Sequence, residues 1–268
     1  MKTPTISKSQ FLKGTQCQKS LWYYRNRKDL KPEDDGNEAK FEMGDEVGEI
    51  AKAYFENGVE VKEKYWETEK AIDSTKKFIE QGNEIIFEAT AMHPVTGAYS
   101  KIDVLRKVPN TNEWDLIEVK SAANIKSYHI DDISFQYYVF HHAGYNIRCC
   151  FLMLLNSDYI RQGDIDPKGL FRLEDITEKV VEKQNTIDVL ATQLAVVPTQ
   201  KNEPTIAISS HCFTPFECDY KEHCWKHVPE YSIYNLFSKK QADGIYKTIN
   251  SYNIKDIPVK LYPKNKKG

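Results

Sequence analysis

The chain contains no run of 18 apolar residues, which excludes a conventional membrane-spanning helix. Its opening, MKTPTISKSQ, is polar and lacks the apolar stretch of a secretory signal, so the expectation is an unexported, cytoplasmic chain without a membrane partner. A strong charge of either sign is also missing: 37 basic and 39 acidic residues leave a net charge of −2. A nucleic-acid surface would therefore be a local basic patch and not a global field. No internal repeat is visible, and no pair of cysteines has the close Cys-x2-4-Cys spacing of a zinc ribbon. Six cysteines are present, and without an export signal they point to burial or metal ligation ahead of disulfides. A length of 268 residues gives room for one large domain or two small ones.

Taken in order, ISKSQFL offers Ser7 or Ser9 as a helix cap, and QKSLWYYRNR continues as an amphipathic segment after Cys17. The apolar spacing of Phe41, Val47, Ile50, Ala51 and Tyr54 predicts a helix over about 39–55. Gly44 and Gly48 stand one turn apart on it, a spacing that would let another backbone approach. A short strand at 59–61 and a helix over about 68–81 follow. Three strands, about 84–92, 98–107 and 114–120, read as an antiparallel meander, with NTNE closing the second hairpin. A helix is expected over about 131–143, where Asp131 or Asp132 suits the first turn and Gly144 ends it. NIRCCFLMLLN then reads as a strand buried on both faces, and strand–helix–strand order implies a mixed α/β sheet with helices on both sides. Residues 156–173 read as loop and short strand, Leu173–Val196 as a long surface helix beginning near Glu174, and another helix is expected near 239–249.

The strand Asn112–Lys120 carries Glu118 and Lys120 on one face, while Ile117 and Val119 take the other. If the hairpin forms, Asp103 on the preceding strand falls beside Glu118. Two carboxylates and an ammonium at one point suit a hard divalent cation, such as Mg2+, that takes protein carboxylates and leaves other positions to water and phosphate. The competing reading is a cross-strand ion pair on a solvated face, worth roughly 0.2–1 kcal/mol. Gln136, in the helix after this strand, and Glu88, on the strand before it, are candidate additions to the same site.

A second group is Cys212-x5-Cys218-x5-Cys224, with Cys17 far upstream. Regular spacing with one remote member suits four-thiolate iron–sulfur ligation better than a zinc ribbon. His211, His223 and His227 keep a zinc alternative open. Cys149 and Cys150, inside the apolar strand, read as packing residues. A third group mixes aromatic and basic side chains: Trp22, Tyr23 and Tyr24 with Arg25, Arg27 and Lys28, then Trp225, Lys226 and His227. It could stack bases and pair phosphates, or it could be half-buried aromatics beneath a solvated basic face.

With these residues in place, the chain resembles the PD-(D/E)XK nuclease superfamily, in particular its RecB-like iron–sulfur branch, which includes the CRISPR-associated Cas4 nucleases and AddB-type helicase-nucleases. Asp103, Glu118-Val119-Lys120, Gln136, and Cys17 with Cys212, Cys218 and Cys224 match that pattern in order, over about residues 5–228. More narrowly, ISKSQFL, CQKSLW, NSDYIRQG, HCFTPFECDYKEHC and IKDIP resemble the N-terminal half of an uncharacterised bacterial family in which an exonuclease-like domain usually follows. A chain ending at Gly268 would then be a truncation or a stand-alone version. Departures are Gly48 where RecB-like proteins often carry a metal-binding histidine, with Asp45 and Glu49 as conceivable substitutes, Phe140 in place of a tyrosine, and Gln18 where proline is common.

The resemblance implies a restriction-endonuclease-like mixed sheet and an iron–sulfur domain joining the N- and C-terminal segments. It implies a nuclease domain over 1–229, with a core at about 38–196 and cluster segments at about 5–30 and 205–229, and a C-terminal extension over 230–268 that would lead to a missing domain if the chain is a truncation. It implies a Mg2+- or Mn2+-dependent deoxyribonuclease, exonuclease ahead of endonuclease. Asp103, Glu118, the Val119 carbonyl and Glu88 would hold metal, Lys120 would position water, Gln136 would orient substrate or Lys120, and the four cysteines would hold a [4Fe-4S] cluster. Implied partners are DNA, single-stranded or as duplex ends, and proteins of a DNA-processing or defence complex. The alternative is a nuclease-fold module that binds nucleic acid or scaffolds a complex with little or no catalysis.

Overall fold

A computed structural model describes residues 5–30 and 38–262, and the side chains among them except those of 38–43 and 45. The chain divides into two compact units, residues 1–12 with 34–196, and residues 13–33 with 197–268.

The first unit is built on a six-stranded mixed sheet whose spatial order equals its chain order. The strands are β1 Val59–Glu60, β2 Ile85–Met92, β3 Tyr99–Lys107, β4 Glu113–Lys120, β5 Asn146–Leu155 and β6 Phe171–Asp175. β2, β3 and β4 form the expected antiparallel meander, β4 and β5 are parallel, and β1 and β6 close the edges as a parallel and an antiparallel neighbour. At the β3–β4 turn, Asn110 takes the left-handed conformation at φ 61°, which asparagine tolerates better than most residues.

Alternation along each strand sets the two faces. Phe87, Val104, Ile117, Met153 and Phe171 form one apolar layer with Ala51, Val47 and Ile50 of helix Glu38–Lys52. The opposite residues of β4, Leu116 and Glu118, face helix Ser127–His142, whose Phe135, Tyr138 and Val139 are fully buried. Helices thus cover both faces of a mixed sheet, consistent with a restriction-endonuclease-like fold. Among the described residues no helix is long and apolar enough to cross a membrane.

Two element boundaries differ from the sequence reading. Helix Ser127–His142 begins a turn earlier than expected, because His129 Nδ1 accepts the Lys126 N–H at 3.3 Å and organises the first turn. Residues 173–196 are not one helix. Phe171–Asp175 is an edge strand that directs Phe171 and Leu173 into the apolar layer, and helices Thr177–Glu182 and Gln184–Val196 follow it. The short strand expected within 156–173 is this one, and it runs two residues further because so short a strand has too few alternations to mark its end against the helical pattern beyond it.

The second unit has short helices, the longest being Lys239–Ile249. Ile233, Tyr234, Ala242 and Ile257 form a small core, with Trp225, Phe237 and Tyr252 against it. Among its described residues the only strand-like feature is an isolated bridge between Ser232 and Asn253.

Candidate active site

The pairing of β3 with β4 runs from Lys107–Trp114 to Val104–Ile117 and then stops, although β4 continues to pair with β5 as far as Lys120–Leu154. One residue beyond that last pair, Asp103 accepts the Val119 N–H on Oδ2 at 2.6 Å, so a side chain replaces the next rung of the ladder. The strands fork here. Segment 5–7 enters beside the start of β3, where the Tyr99 N–H donates to the Ile6 carbonyl at 3.0 Å and Ser7 bridges Tyr99. Ser7 then caps helix Lys8–Gln16, accepting the Gln10 N–H on its hydroxyl at 3.3 Å.

The register carries three carboxylates across the fork. Phe87 pairs Val104 and Ala89 pairs Ile102, which sets Glu88 opposite Asp103, and the β3–β4 register sets Asp103 beside Glu118. Glu88 has φ 57°, an uncommon conformation for glutamate that costs on the order of 1 kcal/mol or more and concentrates at functional sites. Its Oε2 is 3.0 Å from Lys101 Nζ. Glu88, Asp103, Glu118, Lys101 and Lys120 line a cleft of about 730 Å3, together with Gly44, Gly48 and Glu49 of helix Glu38–Lys52.

Glu118 is 2% exposed, so its charge must be met locally. Oε1 lies 2.8 Å from Lys8 Nζ and 2.7 Å from Lys120 Nζ, and Oε2 accepts from Gln136 Nε2 at 2.6 Å. The same Gln136 nitrogen donates to the Lys101 carbonyl at 2.8 Å, while Gln136 Oε1 is buried without a hydrogen-bond partner. Asp132, 5% exposed, contacts Lys120 through Oδ2 and stands 3.3 Å from Lys8 Nζ through Oδ1. Burial opposes ionisation of Glu118, but Lys120 and Lys8 outweigh it and hold its pKa below the usual carboxylate range. Burial likewise works against both ammoniums, and the surrounding carboxylates nevertheless hold them firmly charged.

Glu118, Asp132 and Asp103 around Lys8 and Lys120 leave a negative excess; burial raises Asp132, and Asp103 takes up the excess as well. The Asp103 carboxyl is pushed up to about 8, by burial first and by the Glu118 charge second. In the unfolded chain the group ionises near 3.9. Between those values the unfolded state releases a proton that the folded state keeps, so this group lowers metal-free stability progressively from about pH 4 to about pH 8 and no further above. Asp103→Asn removes that dependence while keeping an oxygen for the Val119 N–H. Thermal melts of metal-free protein are expected to show the variant several degrees above the parent at about pH 8, with the gap closing toward pH 5.

The expected members Asp103, Glu118, Lys120, Gln136 and Glu88 therefore converge, and Val119 joins them through its N–H. The sequence reading missed Lys8 and Asp132. Asp132 sits one helical turn before Gln136, a spacing that predicts a shared face. Nothing local marks Lys8, because it reaches the site from a segment 110 residues before Glu118. Among the described residues no other backbone approaches Gly44 or Gly48 as expected: a Cβ built at either position meets nothing within 4 Å. They instead leave the helix face bare above the cleft. The Asp45 side chain lies outside the described residues, and Glu49 is exposed and paired with Lys52 at 2.6 Å.

In the second unit Cys17, Cys212, Cys218 and Cys224 line one small cavity, all as free thiols. The Cys218 N–H donates to the Cys212 carbonyl at 2.9 Å and the Cys224 N–H to the Tyr220 carbonyl at 3.0 Å, folding the segment so that its three thiols converge. Burial pushes the Cys224 thiol up to about 11 and raises Cys17 and Cys212. His211 lines the same cavity, whereas His223 lies edge-on to Tyr23 and His227 to Tyr252. Among the described residues, no group of three or more His, Cys, Asp or Glu side chains already stands in a metal-holding arrangement, in either unit.

The mixed aromatic and basic group is mostly packing. Tyr23 is 1% exposed against Tyr220, Trp22 Nε1 donates to the Gln200 carbonyl at 2.9 Å, and Trp225 packs edge-on to Phe213 and Tyr234. Cys150 is fully buried and Cys149 partly so, as packing residues should be.

No protein family and no curated protein sequence matches the chain. Among solved structures, that of SSO0001 is similar over 85% of this chain and 89% of that one, at 14% identity and a TM-score of 0.38. An alkaline exonuclease from Laribacter hongkongensis, LHK-Exo, is similar over 70% of this chain and 93% of that one, at 12% identity and a TM-score of 0.29. Likenesses of this strength leave the functional reading to the residues themselves.

Proposed function

We propose that the first unit is a divalent-metal-dependent nuclease acting on DNA, and that the second unit is held together by a [4Fe-4S] cluster on Cys17, Cys212, Cys218 and Cys224. The observation that carries the nuclease reading is the fork between β3 and β4, which lays Glu88, Asp103 and Glu118 in a row beside Lys120 at an open cleft.

The donor set fits Mg2+ or Mn2+ in kind, since its members are carboxylate oxygens surrounding a site with excess negative charge. Asp103 and Glu118 would hold the ion, with Glu88 and the Val119 carbonyl as further donors. A bound ion would supply charge neutralisation at the scissile phosphate and an acidified water. Glu118 is occupied by two ammoniums and an amide in this structure, so loading requires Lys120 or Lys8 to yield. Lys120 borders the cleft and is the group able to turn toward a phosphate there, orient a water and offset developing negative charge. Gln136, fixed between Glu118 and the Lys101 carbonyl, keeps the Glu118 carboxylate aimed.

The cluster reading is supported by four converging thiols in a unit of short helices, where thiolate ligation contributes directly to folding. Anaerobic purification with metal analysis tests it: about four irons and sulfides per chain are expected, and colourless protein carrying stoichiometric zinc would replace the cluster with a zinc site.

The bare helix face gives a gain-of-function prediction. Gly48→His has room for its Cβ and adds a nitrogen donor at a position that lines the cleft. Calorimetric titration is expected to show tighter Mn2+ binding by about tenfold, equivalent to about 1.4 kcal/mol.

A further inference from the structure

Two ammoniums share one oxygen of Glu118, but they reach it differently. Lys120 extends from the end of β4 and borders the cleft. Lys8 arrives from the first turn of helix Lys8–Gln16 and is not part of the cleft lining. Its backbone is well held: Ile6 and Phe11 are fully buried, Phe11 stacks on Phe135 at 4.4 Å, and segment 5–7 bonds to Tyr99 and Gly97. Lys8 contacts both Glu118, at 2.8 Å, and Asp132, at 3.3 Å, and Lys120 contacts the same two residues. A lone ammonium leaving two buried carboxylates would expose an uncompensated charge, which is costly. With a second ammonium in place, the first can leave.

We propose that Lys8 is a positioning residue of this site, the resident counter-ion of Glu118 and Asp132, which frees Lys120 to turn into the cleft toward a substrate phosphate. The proposal rests on the nuclease reading for its consequence in turnover, and on the charge arrangement alone for its consequence in stability. The two lysines on one carboxylate are then not redundant. Lys8 stays with the protein's own charges, and Lys120 serves the substrate.

The test pairs kinetics with a stability cycle on the full chain. In Mn2+-dependent cleavage of labelled DNA, Lys8→Met is expected to lower kcat about 100-fold with KM changed less than threefold, and Lys8→Arg to recover at least tenfold of that loss. Unchanged kcat in folded Lys8→Met, or a loss confined to KM, would overturn the positioning role. In denaturant unfolding of metal-free protein, Lys8→Met and Asp132→Asn are expected to be non-additive, with the double variant more stable than Lys8→Met alone because one charge of each sign is removed. Additive effects would overturn the counter-ion role, and this holds even if the parent protein cuts no DNA, an outcome that would sink the nuclease reading by itself. Should Lys8→Met fail to fold, the double variant and Lys8→Arg carry both measurements.

Discussion

Glu118→Gln is expected to reduce metal-dependent DNA cleavage by on the order of a thousandfold, the scale of removing one preorganised electrostatic group from a catalytic site. The glutamine is nearly isosteric and can still accept from Lys8 or Lys120 and face Gln136. What it loses is the negative charge that holds two ammoniums now and would hold a cation during turnover. Glu118→Ala removes the partner altogether and deprives Lys8 and Lys120 of it, so it is expected to cost about 3–5 kcal/mol of stability as well. Comparing the pair separates chemistry from folding: the glutamine variant should melt closer to the parent and fail to cut, while the alanine variant should melt well below the parent and also fail to cut. Denaturant unfolding and a cleavage time course on both proteins provide the measurement.

The second large effect concerns the cysteines. Cys218→Ser is expected to abolish the visible absorbance of the cluster and to weaken the cooperative unfolding of residues 13–33 with 197–268, because short helices and small apolar clusters hold that unit. Substituting Cys150, which is buried among strand residues and remote in role from the cavity, is expected to leave the absorbance intact. Hydrogen exchange would resolve the effect by unit. Rapid exchange throughout 205–229 in Cys218→Ser, with β3 and β4 still protected, is the expected pattern. An equally protected 205–229 in that variant would show that the thiols are not what orders the segment.

Most of the sheet could be read in advance. β2, β3 and β4 are short apolar-rich runs separated by polar turns, β5 is a long apolar run, and composition and length suffice for both. A short strand within 156–173 is legible, but the end of β6 is not, because the last residues of Phe-Arg-Leu-Glu-Asp merge with the helical pattern that follows. At the site, residues placed by one hairpin were legible: the register that puts Asp103 beside Glu118 follows from the turn, and Gln136 lies on the next element. Lys8 was not legible, since its position depends on segment 5–7 entering the fork, a contact between residues about ninety apart that no periodicity encodes. Asp132 was read as a first-turn acid favourable to the helix end, whereas its carboxylate turns inward to the two lysines. The glycines of helix Glu38–Lys52 carried the opposite meaning to the one expected, because a gap along a helix looks the same in sequence whether it is filled by a neighbour or left open.

The most direct measurement is cleavage of end-labelled single- and double-stranded DNA by anaerobically purified protein with Mn2+, beside Lys120→Met and an EDTA control. The nuclease assignment predicts metal-dependent products from the parent, none with EDTA, and a loss of on the order of a thousandfold in Lys120→Met despite an unchanged fold. Intact DNA in every lane, or equal cleavage by parent and variant, would contradict the assignment of this site as the one that cuts.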